Sequence, residues 1–311
     1  MDPAPLNPEL VPTPRPLDPR LRLEPVPYQP DGGFPAYGVL VVFLCVTPAA
    51  LGLGYAASWV GRWVYIVLLF PFLVGIVLGF FGAVGVYVGR VRSTFLAGLA
   101  GLFGGCLALF AMHYFDYERA LARKDKPVPA KKVAAPAAPA DRPAGFWDHL
   151  DRQARKGIPV QFRRIHFTLG YVATYLYWLV EVAIVSGLAM AILIGCAADP
   201  FCTECSTWKT KRALGTVALS PDEALRIFSA GEIVRLADHE PSAGEIHLTA
   251  WACPTCGPEA PVDVKLDQVT KNAKNEDETR SLAFLTYPGA VLPVLESLFA
   301  PEAEEGADGE E

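Results

Sequence analysis

A chain of 311 residues with 52% hydrophobic residues and a mean hydropathy of +0.28 is too apolar to be one ordinary soluble domain. Its net charge of −6 comes from 33 acidic against 27 basic residues, with most of the acid after residue 200. That balance excludes a protein built to neutralise nucleic-acid phosphates with a basic face.

Residues 1–34 hold ten prolines between Pro3 and Pro30. Proline removes backbone donors and blocks a helical ladder, so this segment is expected to be a disordered tail; the rival reading is a proline-rich ligand for a partner domain. The first apolar run begins only near Tyr37 and is long enough to span a bilayer, so no secretory signal peptide is expected.

Four apolar stretches, near 37–59, 63–88, 94–114 and 168–196, can each cross a hydrocarbon layer of about 30 Å as helices. They assign transmembrane helices one to three to residues 35–115 and the fourth to 167–197. Trp59 and Trp63, then Tyr114, Phe115 and Tyr117, then Tyr171 and Tyr175, fall where amphipathic rings favour the interface. Glycines four apart (Gly75 and Gly79, Gly85 and Gly89, Gly101 and Gly105) form grooves for close helix contact. With the short link Arg90–Ser93, they suggest that helices two and three pack as an antiparallel hairpin; a homo-oligomer through these faces is the alternative.

Residues 116–166 read as a basic loop with twelve Lys and Arg and an Ala/Pro linker over 126–145. Its end carries Phe146, Trp147, Leu150 and Ala154 on one helical face, with Asp and Arg around the rest, and Gly157 to stop the helix. Such a helix beside a membrane is expected to lie in the headgroup plane. Glu181 sits mid-span in the fourth apolar run, where a carboxylate must face the bundle interior. It reads as a protonated structural group bonded to a hydroxyl such as Tyr177 or Ser186, or as a proton or cation relay.

Residues 198–300 read as a small α+β domain, and 301–311 as an acidic disordered tail. Ser220-Pro221-Asp222-Glu223 is a capping box that starts a helix, Gly231 ends it, and Glu232 to Ala237 form a further turn. Alternation over Ile246–Ala250, Val262–Asp267 and Leu282–Tyr287 predicts three strands, and a final helix follows over 290–299.

Two cysteine pairs flank this helix and first strand: Cys202-Thr-Glu-Cys205-Ser206 and Cys253-Pro-Thr-Cys256-Gly257. Two thiolates two residues apart clasp one edge of an ion, and glycine after the second permits the positive φ of the turn. Four thiolates then fill a tetrahedron and leave no open position, so Zn²⁺ here is structural. The pairs resemble the knuckles of zinc-ribbon domains. The resemblance implies a fold element and not an activity. Lys209, Lys211 and Arg212 stand ready to offset the thiolate charge, and His239 and His247 are spare ligands that nothing requires. Two other readings are structural disulfides and thiol redox chemistry, the latter needing an activating helix that the sequence after Gly257-Pro258 does not offer.

The positive-inside rule puts the basic 116–166 loop in the cytoplasm and the cysteine domain outside; reduced thiols argue for the reverse, as do Arg90, Arg92 and Lys209–Arg212. The cytoplasmic side is the expectation taken for the domain. The chain thus reads as an all-α four-helix membrane bundle plus a zinc-ribbon-like α+β domain, a multi-pass anchor for a zinc-binding interaction module with no catalysis inferred. Its partners would be the bilayer and a protein bound through the zinc domain or the proline-rich tail. Two alternatives stand beside it, a proton- or ion-coupled transport component using Glu181 and a membrane thiol–disulfide oxidoreductase.

Overall fold

A computed structural model describes residues 24–60, 69–124, 145–162, 165–238, 245–257 and 260–299. The expectations for residues 1–23, Trp63 and the start of the second span, the centre of the Ala/Pro linker, His239 and the acidic tail lie outside them. The chain divides into two units, residues 30–199 and residues 200–311 joined by the segment before residue 30.

The first unit holds helices α1 (Ala36–Val60), α2 (Leu69–Gly89), α3 (Thr94–Lys124), α4 (Phe146–Lys156) and α5 (Tyr171–Ala197). Among the described residues α1, α2, α3 and α5 are long and apolar enough to cross a membrane. Their outward faces carry Leu44, Phe80, Val88, Phe95 and Leu179, all exposed, as a lipid-facing surface must. α1 packs on α2 and α3, and α5 closes the ring against the same two, so α2 and α3 stand nearly diagonal.

This corrects the expected pairing of α2 with α3. Their glycines serve other neighbours: Gly75, Gly79 and Gly82 meet α5, Gly101 and Gly105 meet α5, and Gly85 and Gly89 meet α1. A Cβ on Gly101 would stand 2.6 Å from the Met190 nitrogen, and one on Gly54 2.5 Å from the Ala108 oxygen. The glycine pairs therefore let backbones touch within one chain. The link between α2 and α3 turns through a left-handed Arg90, φ 53°, and Ser93 caps α3 by accepting from the Leu96 nitrogen at 3.4 Å.

α3 continues ten residues beyond the expected end of the third span, to Lys124. Apolarity fails after Phe115, but Arg, Ala, Leu and Lys are strong helix formers and carry the helix on. α4 starts and stops where expected, with Gly157 at φ 72°. Phe146 packs on Phe110 at 5.2 Å between ring centres, Ala154 is buried, and Trp147 is 75% exposed. Arg152 pairs with Asp148 and Arg155 with Asp151, one turn apart. An antiparallel hairpin then follows inside the expected loop, β2 (Pro159–Phe162) with β3 (Ile165–Thr168).

The second unit is built on a five-stranded antiparallel sheet. Its strands are β1 (Val26–Pro27), β6 (Thr210–Val217), β7 (Ile246–Ala252), β8 (Val262–Lys271) and β9 (Asp277–Tyr287), in the order β1-β9-β8-β7-β6. β1 corrects the expectation of a structureless first 34 residues: Val26 pairs with Thr286, and the Tyr28 ring lies 4.2 Å from that of Phe284. Residues before α1 and after α5 thus share one sheet, which agrees with an even number of crossings.

One face of the sheet is covered by α6 (Pro221–Ala230), a 3-10 turn (Ile233–Asp238) and α7 (Val291–Leu298). The alternation of β7 puts Ile246, Leu248, Ala250 and Ala252 into this core beside Phe228, Ile233 and Leu295. The Ser220 cap accepts from the Glu223 nitrogen at 3.3 Å, and Gly231 closes α6 at φ 68°. Buried Tyr287 donates to the Phe228 carbonyl at 2.7 Å, and burial raises its pKa.

Candidate metal centre

Two knuckles present the cysteines at one end of the sheet. The first lies in a small hairpin of β4 (Phe201–Cys202) and β5 (Thr207–Trp208), where Cys202 pairs with Thr207. The second lies at the tip of the β7–β8 hairpin, beyond the Trp251–Asp263 pair. The register of β6 on β7 unites them. Thr210 pairs with Ala252, so the strand leaving the first knuckle runs beside the strand entering the second.

The sulfur atoms of Cys202, Cys205, Cys253 and Cys256 consequently all lie within 4.8 Å of one another, and four cysteines this close can hold a metal ion. Cys202 and Cys253 are buried and Cys205 and Cys256 half-buried, and all seven cysteines of the chain are free thiols. The sulfurs of Cys202 and Cys256 are 3.7 Å apart and those of Cys205 and Cys256 2.7 Å. The first distance matches the edge of about 3.8 Å in a tetrahedron of sulfurs at ~2.3 Å from its centre. The second is about 1 Å shorter, so Cys205 and Cys256 would have to part for a tetrahedral ion to enter.

Local backbone chemistry suits thiolates. The Cys256 nitrogen donates to the Cys253 sulfur at 3.4 Å. Burial pushes the Cys253 thiol up, but the backbone N–H groups of Cys256 and Thr255 outweigh it and bring the thiol down to about 7. Contact with Cys205 holds Cys256 protonated, well above the usual thiol range. Four bare thiolates cannot coexist here, and binding of a divalent ion would displace the remaining protons. The residue after each second cysteine is left-handed: Gly257 at φ 67°, as its residue type predicts, and Ser206 at φ 50° in spite of its Cβ. The next strand after the second pair is β8, from Val262.

The basic residues after the first pair have other partners. Arg212 pairs with Glu296 at 2.6 Å, and Lys211 stands over the Trp251 ring at 5.7 Å. Lys209 donates to Asp263 at 2.8 Å and to the Pro261 carbonyl at 2.8 Å, and Thr286 donates to the other Asp263 oxygen at 2.6 Å. The Lys209 and Asp263 side chains are only 7% and 2% exposed. Lys209 follows the first knuckle and Asp263 the second, so this buried ion pair ties the knuckles together. Sequence reasoning missed the role of Asp263. The available signal was an acid between Val262 and Val264, at the foot of the second knuckle. His247 pairs with Thr216 and Asp267 in the sheet and lies outside the sulfur cluster.

Glu181 is fixed in the bundle unit, 2% exposed. It borders a gap of about 10 Å³ with Gly54, Val74 and Met112, and a second, larger cavity. Ser186, one expected partner, donates to the Leu102 carbonyl at 3.5 Å. Compared with protein-family models, curated proteins and solved structures, the chain matches none.

Proposed function

We propose that this protein is a multi-pass membrane anchor for a structural zinc-binding interaction domain held at the bilayer surface. Four apolar helices and a cysteine cluster fit a membrane protein with a metal-binding domain. The observation that carries the reading is the convergence of four sulfurs from two knuckles that a buried Lys209–Asp263 pair holds in register. Both knuckles turn through a left-handed residue after the second cysteine, which supports the zinc-ribbon likeness. A four-sulfur shell favours Zn²⁺ or iron and leaves no vacant position for a substrate, so the ion serves the fold. Zinc is the reading for a metal without redox chemistry, and the cytoplasm is the compartment that keeps such thiols reduced. A protein bound by the metal domain is the partner this arrangement is suited to serve.

Elemental analysis of the detergent-purified chain tests the reading. One zinc per chain is expected, falling to none in Cys253→Ser. Iron in place of zinc would overturn the assignment of the ion. Absence of any metal, with the thiols recovered as two disulfides, would overturn the centre itself.

A further inference from the structure

The face of the sheet turned away from α6 and α7 carries a row of aromatic rings that the metal reading does not use. Alternation sends Leu248 and Ala250 of β7 into the core, so Trp251 stands on the opposite face, and the same rule puts Phe284 of β9 there. The register sets Lys211 of β6 beside Trp251 and Lys265 of β8 beside Phe284. The ring centres of Trp251 and Phe284 are 5.2 Å apart, so the two side chains meet across β8. Phe284 meets Tyr28, just past β1, at 4.2 Å, and Lys211 stands over the Trp251 ring at 5.7 Å. Trp251 and Phe284 are half-buried, and each keeps exposed surface.

We propose that this aromatic row is the docking site of the chain's own proline-rich segment, residues 12–19. That stretch carries Pro12, Pro14, Pro16 and Pro19. Proline presets the polyproline II helix, whose three residues per turn bring Pro16 and Pro19 to one edge. Segments of this kind dock on aromatic-lined surfaces because ordering them costs little entropy. The carbonyls of such a helix have no internal hydrogen bonds. The indole N–H of Trp251 and the ammonium groups of Lys211 and Lys265 are donors suited to them.

Attachment and charge favour this occupant. The segment leads directly into β1, the strand beside β9, so the chain joins the sheet at one end of the row. The row crosses from β7 to β1, three strand spacings or about 14 Å. Eight residues of polyproline II are about 25 Å long and cover that distance. Val26 lies seven residues after Pro19, and seven residues reach at most about 25 Å, enough to return over the row. Such a tether holds the segment at an effective concentration on the order of millimolar, so modest contacts suffice. Arg15, Arg20 and Arg22 outnumber Asp18 around the prolines, while most of the chain's acid lies after residue 200. The rival occupant is a single-stranded nucleic acid, whose bases also stack on rings beside lysines. The net charge of −6 opposes its phosphates. The row shares no residue with the cysteine cluster, and the test below leaves the cysteines untouched.

The test is binding of a labelled peptide of residues 10–22 to the full chain in lipid nanodiscs, read by fluorescence anisotropy. In the unaltered chain the tethered segment competes, so binding should be weak. The full chain carrying Pro14→Ala, Pro16→Ala and Pro19→Ala is expected to bind the peptide about tenfold or more tightly. A peptide with the same three changes should lose about tenfold on that chain, and Trp251→Leu added to the chain should abolish binding. The altered peptide leaves the protein intact, so it decides the matter where Trp251→Leu disturbs the sheet. Equal affinity of the unaltered and the triply substituted chain, equal binding of the altered peptide, or tighter binding of an oligodeoxythymidine of the same length would each overturn the assignment.

Discussion

The bundle and the sheet domain solve the problem of cohesion in opposite ways. In the bundle many large apolar side chains face outward, Leu44 and Phe80 among them, and the interior mixes Leu78, Leu193 and several valines with the glycine, alanine and serine of the closest helix contacts. Lipid is as apolar as leucine, so burying leucine gains nothing there; backbones must instead approach until dispersion holds them. In the sheet domain water drives the large side chains inward, and Phe228, Ile233, Leu248 and Leu295 form one cluster under the helices. That cluster contains no cysteine. The four sulfurs form a second, small cluster with Ala260 alone among the buried hydrophobics. A metal held by those sulfurs would act where neither side-chain burial nor close backbone packing is present.

Removing the proposed metal is the largest break available, since structural zinc sites contribute on the order of 10 kcal/mol of apparent binding energy. Chelation, or Cys253→Ser, is expected to release residues 200–209 and 253–257 to fast hydrogen exchange. Protection of β7 and β8 beneath the helices should survive, as should thermal unfolding of the bundle in detergent. Collapse of the whole sheet domain would mean that its core is not self-sufficient. The metal-free knuckle should also weaken with acid. The Cys253 thiol is depressed to about 7 in the fold. Its contribution is therefore present above the unfolded thiol value of about 8.5 and is lost as pH falls through about 7.

The next effect is the loss of one member of the buried ion pair. Lys209→Met leaves Asp263 charged, 2% exposed and short of its main partner, which should cost about 3–5 kcal/mol in denaturant unfolding of the metal-loaded protein. The double change Lys209→Met with Asp263→Leu should recover most of that. A single change without cost would show that the metal alone holds the knuckles in register.

The bundle is expected to respond to volume where the sheet domain responds to charge. A side chain at Gly101 meets the α5 backbone, so Gly101→Val should cost about 1–3 kcal/mol of bundle stability. Gly195 has open space at its Cβ position, and Gly195→Ala should cost nothing. Both are read as loss of helical signal on heating in detergent, and metal content should stay unchanged. Equal sensitivity at the two positions would remove the case for close backbone packing.

How legible each region was in the sequence follows from the same contrast. The spans were legible because hydropathy is a one-dimensional property, and the α6 cap because Ser220 and Glu223 interact three residues apart. The strands around Ile246 and Val262 were legible because each keeps its period of two. β6 was not. Its sequence is polar over Thr210–Arg212, and a bulge between Ala213 and Gly215 breaks the alternation that would have marked it. The partner of each bundle glycine was hidden too, because adjacency in sequence suggested α2 on α3 and packing chose α5 and α1 instead. Spacing located the cysteines. What holds the two pairs in register, the Lys209–Asp263 contact across the sheet, has no local signature.

The smallest effect asks whether the two knuckles are physically equivalent. Ser206 and Gly257 occupy the same left-handed place in their turns, at φ 50° and 67°. A side chain in that conformation costs about 1–2 kcal/mol, and glycine loses about 0.5–1 kcal/mol of that advantage through the entropy of the unfolded chain. Ser206→Gly should therefore stabilise the metal-loaded domain by up to about 1 kcal/mol, and Gly257→Ser should destabilise it by a similar amount. Competition for zinc against a calibrated chelator would read the two shifts as opposite changes of up to about fivefold in affinity. If Gly257→Ser is costly while Ser206→Gly is neutral, the first turn has relieved its strain by its own contacts. The likeness between the knuckles would then stop at the spacing of their sulfurs.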